Sequence, residues 1–268
     1  MRRAAPLAAL LGFFACRTWP PEVVLPLPAD DPTARARVEQ LAEQAQTRHS
    51  LRARVKLALD HADGSLRVEQ RVAALRPAKL RIEVLGFLGQ TEAVLVTDGV
   101  EFAFFRARDR ALTRGEVYPR LLYDLAHIPL TPAGAVQVLL GAVAPAPELH
   151  VAAAARLGED QVRVDLADAA GALRQRFEFA HGGLLRRAQI FASEDALAWE
   201  AIFAAYERVE PEGFFAHTIE VHFSESQSNA VLSLKAVELN PELPEDLFSL
   251  HLQPARQSTP PVGAPLQR

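Results

Sequence analysis

The stretch LRARVKLALD (51–60) alternates without a break: Leu51, Ala53, Val55, Leu57 and Leu59 stand against Arg52, Arg54 and Lys56. A period of two marks a strand with one face in protein and the other in water. Asp63-Gly64 follows as a turn signal, and a second strand is expected over about 65–75. Leu80, Ile82 and Val84 read as a third strand. EAVLVTDG and VEFAFFRARDR supply a fourth and a fifth, joined at the hairpin signal Asp98-Gly99. Further strands are expected near 148–157, 161–167, 172–180, 184–192, 196–208, 214–223 and 229–239. In FFAHTIEVHF, the residues Phe215, His217, Ile219, Val221 and Phe223 share one face.

Short turns between neighbouring strands favour antiparallel pairing. A sheet of about 11 strands does not stay flat, so a strongly curved sheet or incomplete antiparallel β-barrel is expected. Helical spacing occurs in two places. Ala34, Val38, Leu41 and Ala45 predict one amphipathic helix to about His49, capped by Asp31 with Pro32 at its first position. YPRLLYDLAHIPLTPAGAVQVLLG (118–141) predicts two short helices separated by Pro129 and Pro132. These helices would lid the concave face. No internal repeat and no second domain boundary is evident.

The N-terminus, MRRAAPLAALLGFFAC, has the three parts of an export signal. Arg2 and Arg3 are the positive region, and residues 4–15 form an apolar run too short to span a bilayer as a helix. Small Ala15 precedes Cys16, the single cysteine of the chain, so no internal disulfide is possible. Its end resembles a lipobox, which implies cleavage after residue 15 and acylation of Cys16; the alternative is a plain secretory signal in which the cysteine is incidental. Arg17 in place of Asp leans towards the outer membrane. Residues 16–32 hold RTWPPEVVLPLPADDP, a proline-rich extended tether. The globular domain is expected over 33–253, and a disordered tail over 254–268.

The net charge is −4, and the basic residues scatter through the strands rather than gathering in a patch, so no nucleic-acid partner is expected. No G-x-S-x-G, G-x-G-x-x-G, Walker A or H-E-x-x-H pattern occurs. His217 and His222, five apart on one strand, point to opposite faces. Glu207, Glu210 and Glu212 read as a solvated rim. Neither an enzyme, a metal site nor a cofactor is expected.

VLGFLGQTEA (84–93) sets Phe87 and Leu88 between two glycines at a hairpin tip. Either the pair folds back onto the core or it is meant for a medium other than water.

Two stretches carry a family resemblance. FLGQTEAVLVTDG (87–99) resembles the P-L-G-S-T-E loop and following strand of the LolB-like outer-membrane lipoproteins, with Phe87 where proline is usual. HIPLTPAGAVQVLLG (127–141) is similar to their I-P-L…L-x-x-W-x-L-G segment, with Val138 or a neighbour where tryptophan is common. The order of elements agrees over about 50–250. The resemblance implies an incomplete barrel whose apolar cavity receives acylated lipoproteins from a LolA-like periplasmic carrier and releases them into the outer membrane. Leu88, beside Phe87, matches the protruding loop leucine that enters lipid. The expected acyl-binding lining is Leu57, Ile82, Val84, Leu95, Leu121, Leu125 and Leu139. A monomer held at the periplasmic face of the outer membrane by its N-terminal acyl chains is implied. An envelope sensor or scaffold, using the same fold to bind a protein, is the alternative.

Overall fold

The computed structural model describes residues 24–193 and 196–250. The expected leader, Cys16 and the tail from 254 lie outside the described residues. The chain forms β1 (Val24–Leu27), α1 (Pro32–Thr47), β2 (Ser50–His61), β3 (Gly64–Leu75), β4 (Lys79–Leu85), β5 (Thr91–Thr97), β6 (Glu101–Arg106) and β7 (Ala111–Glu116). Two helices follow, α2 (Leu121–Ala126) and α3 (Pro132–Leu139). The rest is β8 (His150–Leu157), β9 (Val162–Ala167), β10 (Leu173–Phe179), β11 (Leu185–Ser193), β12 (Ala196–Val209), β13 (Gly213–Phe223) and β14 (Ser228–Leu239).

All 14 strands of the described residues belong to one antiparallel sheet, ordered β1-β8-β9-β10-β11-β12-β13-β14-β2-β3-β4-β5-β6-β7. The sheet is therefore two meanders, β2–β7 and β8–β14, fused where β14 pairs with β2. It does not close: β1 and β7 are its edges. The alternation seen in 51–59 becomes burial, with Leu51, Ala53, Val55, Leu57 and Leu59 in the core and the intervening basic residues in water.

Two of the strands match no expected segment. Val24–Leu27, read as part of the tether, pairs with β8 from Val24↔Leu157 to Leu27↔Ala154. Pro26 fits there because an edge strand has one side free of ladder bonds. Ala111–Glu116 pairs with β6. Its sequence, ALTRGE, is exposed along most of its length, so it has no apolar alternation to announce it.

The helices lie over the concave face. α1 starts where the Asp31 carboxylate accepts hydrogen bonds from the backbone of Thr33 and Ala34, at 2.9 and 3.1 Å, with Pro32 in the first turn. It buries Ala34, Leu41 and Ala45 and packs on β9. α3 is capped by Thr131, whose hydroxyl accepts from the Gly134 N–H at 3.0 Å. It packs its buried face on β3 and β4. α2 ends at His127, which takes a left-handed conformation (φ 55°) and donates its N–H back to Tyr123 at 2.8 Å.

The convex face carries cross-strand ion pairs, which is where many of the scattered arginines go. Arg176 binds Asp165 through two hydrogen bonds of 2.7 and 2.8 Å. Arg52 meets Glu238, Arg54 meets Glu69, and Arg71 meets Glu83. Half-exposed pairs of this sort contribute about 0.2–1 kcal/mol each, so they fix register more than they stabilise. β5 departs from alternation because both of its faces are covered. Val94 and Val96, with Ala103, pack on the convex side against Leu250 of the C-terminal segment, which Arg81 and Arg114 hold by hydrogen bonds to the carbonyls of Leu247 and Leu250.

Two arginines go inward instead. Arg48, 7% exposed, follows α1. It donates to the Phe214 carbonyl at 2.7 Å and the Gly141 carbonyl at 3.4 Å, and stands over the Phe215 ring. Arg76 donates to the carbonyls of Arg48 and Ala142 at 3.0 and 2.7 Å. Burial pushes both guanidiniums below their ordinary pKa, and the carbonyls offset that cost. The pair clasps the end of α1, the exit of α3 and β13. Arg48→Met leaves the Phe214 and Gly141 carbonyls without their donor. It is expected to lower stability by about 2–3 kcal/mol, read as a fall in the urea midpoint at unchanged slope.

Candidate functional site

Beneath α2 and α3 the concave face does not fill. A cavity of about 280 Å³ lies between these helices and strands β2–β6, β13 and β14. Six of the seven residues expected to line it do so: Leu57, Ile82, Val84, Leu95, Leu125 and Leu139. Leu121 does not. It is fully buried in the main core, because on α2 the stripe that faces the cavity is Leu122 and Leu125, one position further on. The space exists because small side chains, Ala93, Ala126, Ala135 and Ala230, stand among the large ones.

Val221, Phe223, Ala230 and Leu232 complete the wall from β13 and β14. The alternation of Val221 and Phe223 was legible, but the position of these strands in the sheet was not. Nothing local says that residues 228–239 pair with residues 50–61. Gln70, 8% exposed, is the one polar side chain on the wall among the described residues. An apolar void of about 150 Å³ already stays dry and admits small hydrocarbons, so this larger one is suited to an aliphatic chain. Among the described residues, none that lines it is an acid, a base or a nucleophile.

The glycine-flanked tip lies at the same end of the sheet. Val84 and Ala93 are paired and both line the cavity, and the loop 86–90 begins just beyond them. The loop closes on its own backbone. The Gly86 N–H donates to the Gln90 carbonyl at 2.8 Å, and the Gly89 N–H to the Gly86 carbonyl at 2.9 Å. The Leu88 N–H donates to the Gln90 side chain at 3.1 Å. Gly89 has φ +80°, a conformation costly for residues with a Cβ. With the backbone satisfied internally, Phe87 is 100% exposed and Leu88 86%. Neither folds back on the core.

The two strand histidines are held apart. His217 Nδ1 contacts the Leu234 carbonyl at 3.2 Å, while His222 Nε2 is 3.2 Å from Glu220. Among the described residues no helix is long and apolar enough to cross a membrane.

No protein-family profile matches the chain, and no curated protein matches it. Among solved structures, it is similar to a LolA-superfamily protein from Nitrosomonas europaea, with 11% identity and a TM-score of 0.54 over 80% of this chain and 97% of that one. It is also similar to a DUF1329-family protein from Desulfovibrio piger, with 10% identity and a TM-score of 0.51 over 81% of this chain and 96% of that one. At these identities the likeness is one of fold: the chain has a LolA-like fold.

Ala93→Phe places a ring in the void beside Val84. The variant is expected to fold, and to bind a fluorescent long-chain fatty acid about tenfold or more weakly than the parent, since roughly 1.5–3 kcal/mol of apolar contact is displaced. Fluorescence titration measures this, and equal affinity would show that hydrocarbon does not enter there.

Proposed function

We propose that this protein is a LolB-like acceptor. It takes acyl chains of lipoproteins from a LolA-like periplasmic carrier into the cavity under α2 and α3, and releases them into the outer membrane. The observation that carries this reading is the pairing of an apolar cavity with an apolar tip at one end of the same strands. The LolA-like fold is consistent with it.

The energetics suit a passive transfer. A C16 chain leaving water is favoured by about 12 kcal/mol, at about 0.8 kcal/mol per methylene. Both the cavity and a bilayer offer that gain, so direction depends on their difference and needs no nucleotide. Phe87 and Leu88 contribute about 1.5–3 kcal/mol each when they leave water for lipid. That contact is reversible, and it brings the cavity mouth to the membrane surface. The strand residues Leu57, Ile82, Val84 and Leu95 hold the chain from one side. Leu125 and Leu139 hold it from the helices.

The anchor belongs to the same proposal. Acylation at Cys16 would keep the protein on the periplasmic face of the outer membrane, where two or more chains bind stably and one is marginal. Labelled palmitate is expected to mark the parent and not Cys16→Ala.

Leu88→Glu tests the mechanism. The side chain is exposed, so the unfolding midpoint is expected to stay unchanged. Delivery of acylated cargo from carrier to liposomes is expected to fall about ten- to hundredfold, the loss of one buried leucine. Full delivery by a folded Leu88→Glu protein would overturn the transfer reading and favour a sensor or scaffold that binds a protein partner.

A further inference from the structure

We infer that His61, Asp63 and His127 form a binding site for a divalent transition-metal ion of the zinc class. Two elements of the fold meet there. His61 ends β2, Asp63 lies in the β2–β3 turn, and His127 ends α2 in its left-handed conformation. One possible ligand atom from each residue lies within 4.8 Å of the other two. His61 and His127 are 66 positions apart, so no spacing motif in the sequence joins them.

The second observation concerns one atom. Nδ1 of His61 is buried and has no hydrogen-bond partner among the described residues. A buried ring nitrogen is ordinarily paired. In the tautomer protonated on Nε2, Nδ1 carries a lone pair, the form that ligates a metal. The rings of His61 and His127 are stacked, with centroids 4.5 Å apart and planes 8° from parallel. Stacking accounts for the ring contact but leaves Nδ1 unpaired.

Parallel rings do not aim their in-plane lone pairs at one point, so binding requires one ring to turn. His127 is exposed and has that freedom. An ion about 2.0–2.1 Å from each donor holds tetrahedral donors roughly 3.3 Å apart, so the three close by at most about 1.5 Å. Two imidazoles and one carboxylate, with a position left for water, suit zinc, nickel or copper. Calcium and magnesium prefer all-oxygen shells.

The site has a mechanical consequence that stands whatever the cavity holds. Ala126 and Ile128, on either side of His127, line the cavity, as does Leu66 on β3. An ion bridging His61 and His127 ties α2 to the β2–β3 hairpin at the edge of that space.

Calorimetric titration of the full chain with zinc chloride tests the assignment. The parent is expected to bind one equivalent that His127→Asn and His61→Gln bind roughly tenfold or more weakly. Asparagine is tolerated in the left-handed conformation, so His127→Asn keeps the end of α2. Zinc is also expected to raise the unfolding midpoint of the parent and not that of His127→Asn. Absence of saturable binding by the parent would overturn the site. So would equal affinity in a folded His127→Asn protein, which would place the zinc elsewhere. Displacement of zinc by millimolar magnesium would overturn the assignment of the metal class.

Discussion

The ladder between β14 and β2 is the contact on which the architecture depends. It runs from Asn229↔Asp60 to Leu239↔Leu51 and joins segments about 180 residues apart, a closure whose entropic cost grows only slowly with length. Without it the chain is two separate meanders, each with an open apolar face. With it the two faces become one concave surface. The cavity spans this seam, with Leu57 on one side and Ala230 and Leu232 on the other. The ladder is also irregular: its register shifts between Lys235 and Glu238, where Ala236 has φ 48°. An irregularity of this kind bends a strand and increases local twist, which suits a sheet that must curl.

The two faces of this sheet solve different problems. On the convex side the strands read one another through arginine and carboxylate pairs, and the C-terminal segment covers the apolar patch of Val94, Val96 and Ala103. On the concave side α1 packs on β9 with Ala34, Leu41 and Ala45 buried. α2 and α3 cover the cavity without filling it, although unfilled apolar space costs stability. Local departures from close packing of this sort cluster where proteins work. The buried clasp of Arg48 and Arg76 stands at the α1 and α3 ends, away from the Phe87-Leu88 loop. One end of the lid is thus fixed by charge-assisted hydrogen bonds.

Much of this was legible in the sequence, for a physical reason. Alternation in 51–59 or 215–223 reports a face directly, because a strand has only two. The start of α1 was marked by Asp31-Pro32, where a side-chain cap and a fixed φ act locally. β7 was missed because an edge strand exposed on both sides has no pattern to show. β1 was missed because Pro26 argues against a strand unless one knows that it lies at an edge. Leu121 was placed one position wrong around α2, since a helix of 6 residues gives too few repeats to fix the buried stripe. The cavity walls from β13 and β14 required knowing which strand neighbours β2, a fact held in no local window.

The early strand β1 changes what the N-terminus can do. Because Val24 is already paired with β8, at most seven residues separate Cys16 from the folded body. Fully stretched, they reach about 25 Å. If Cys16 carries lipid, this is a short leash rather than a long line. It confines the body to a thin layer above the bilayer and raises the effective concentration of the Phe87-Leu88 tip there. On the proposed reading, a weak and reversible touch would then suffice, because the tip would never drift far from the bilayer.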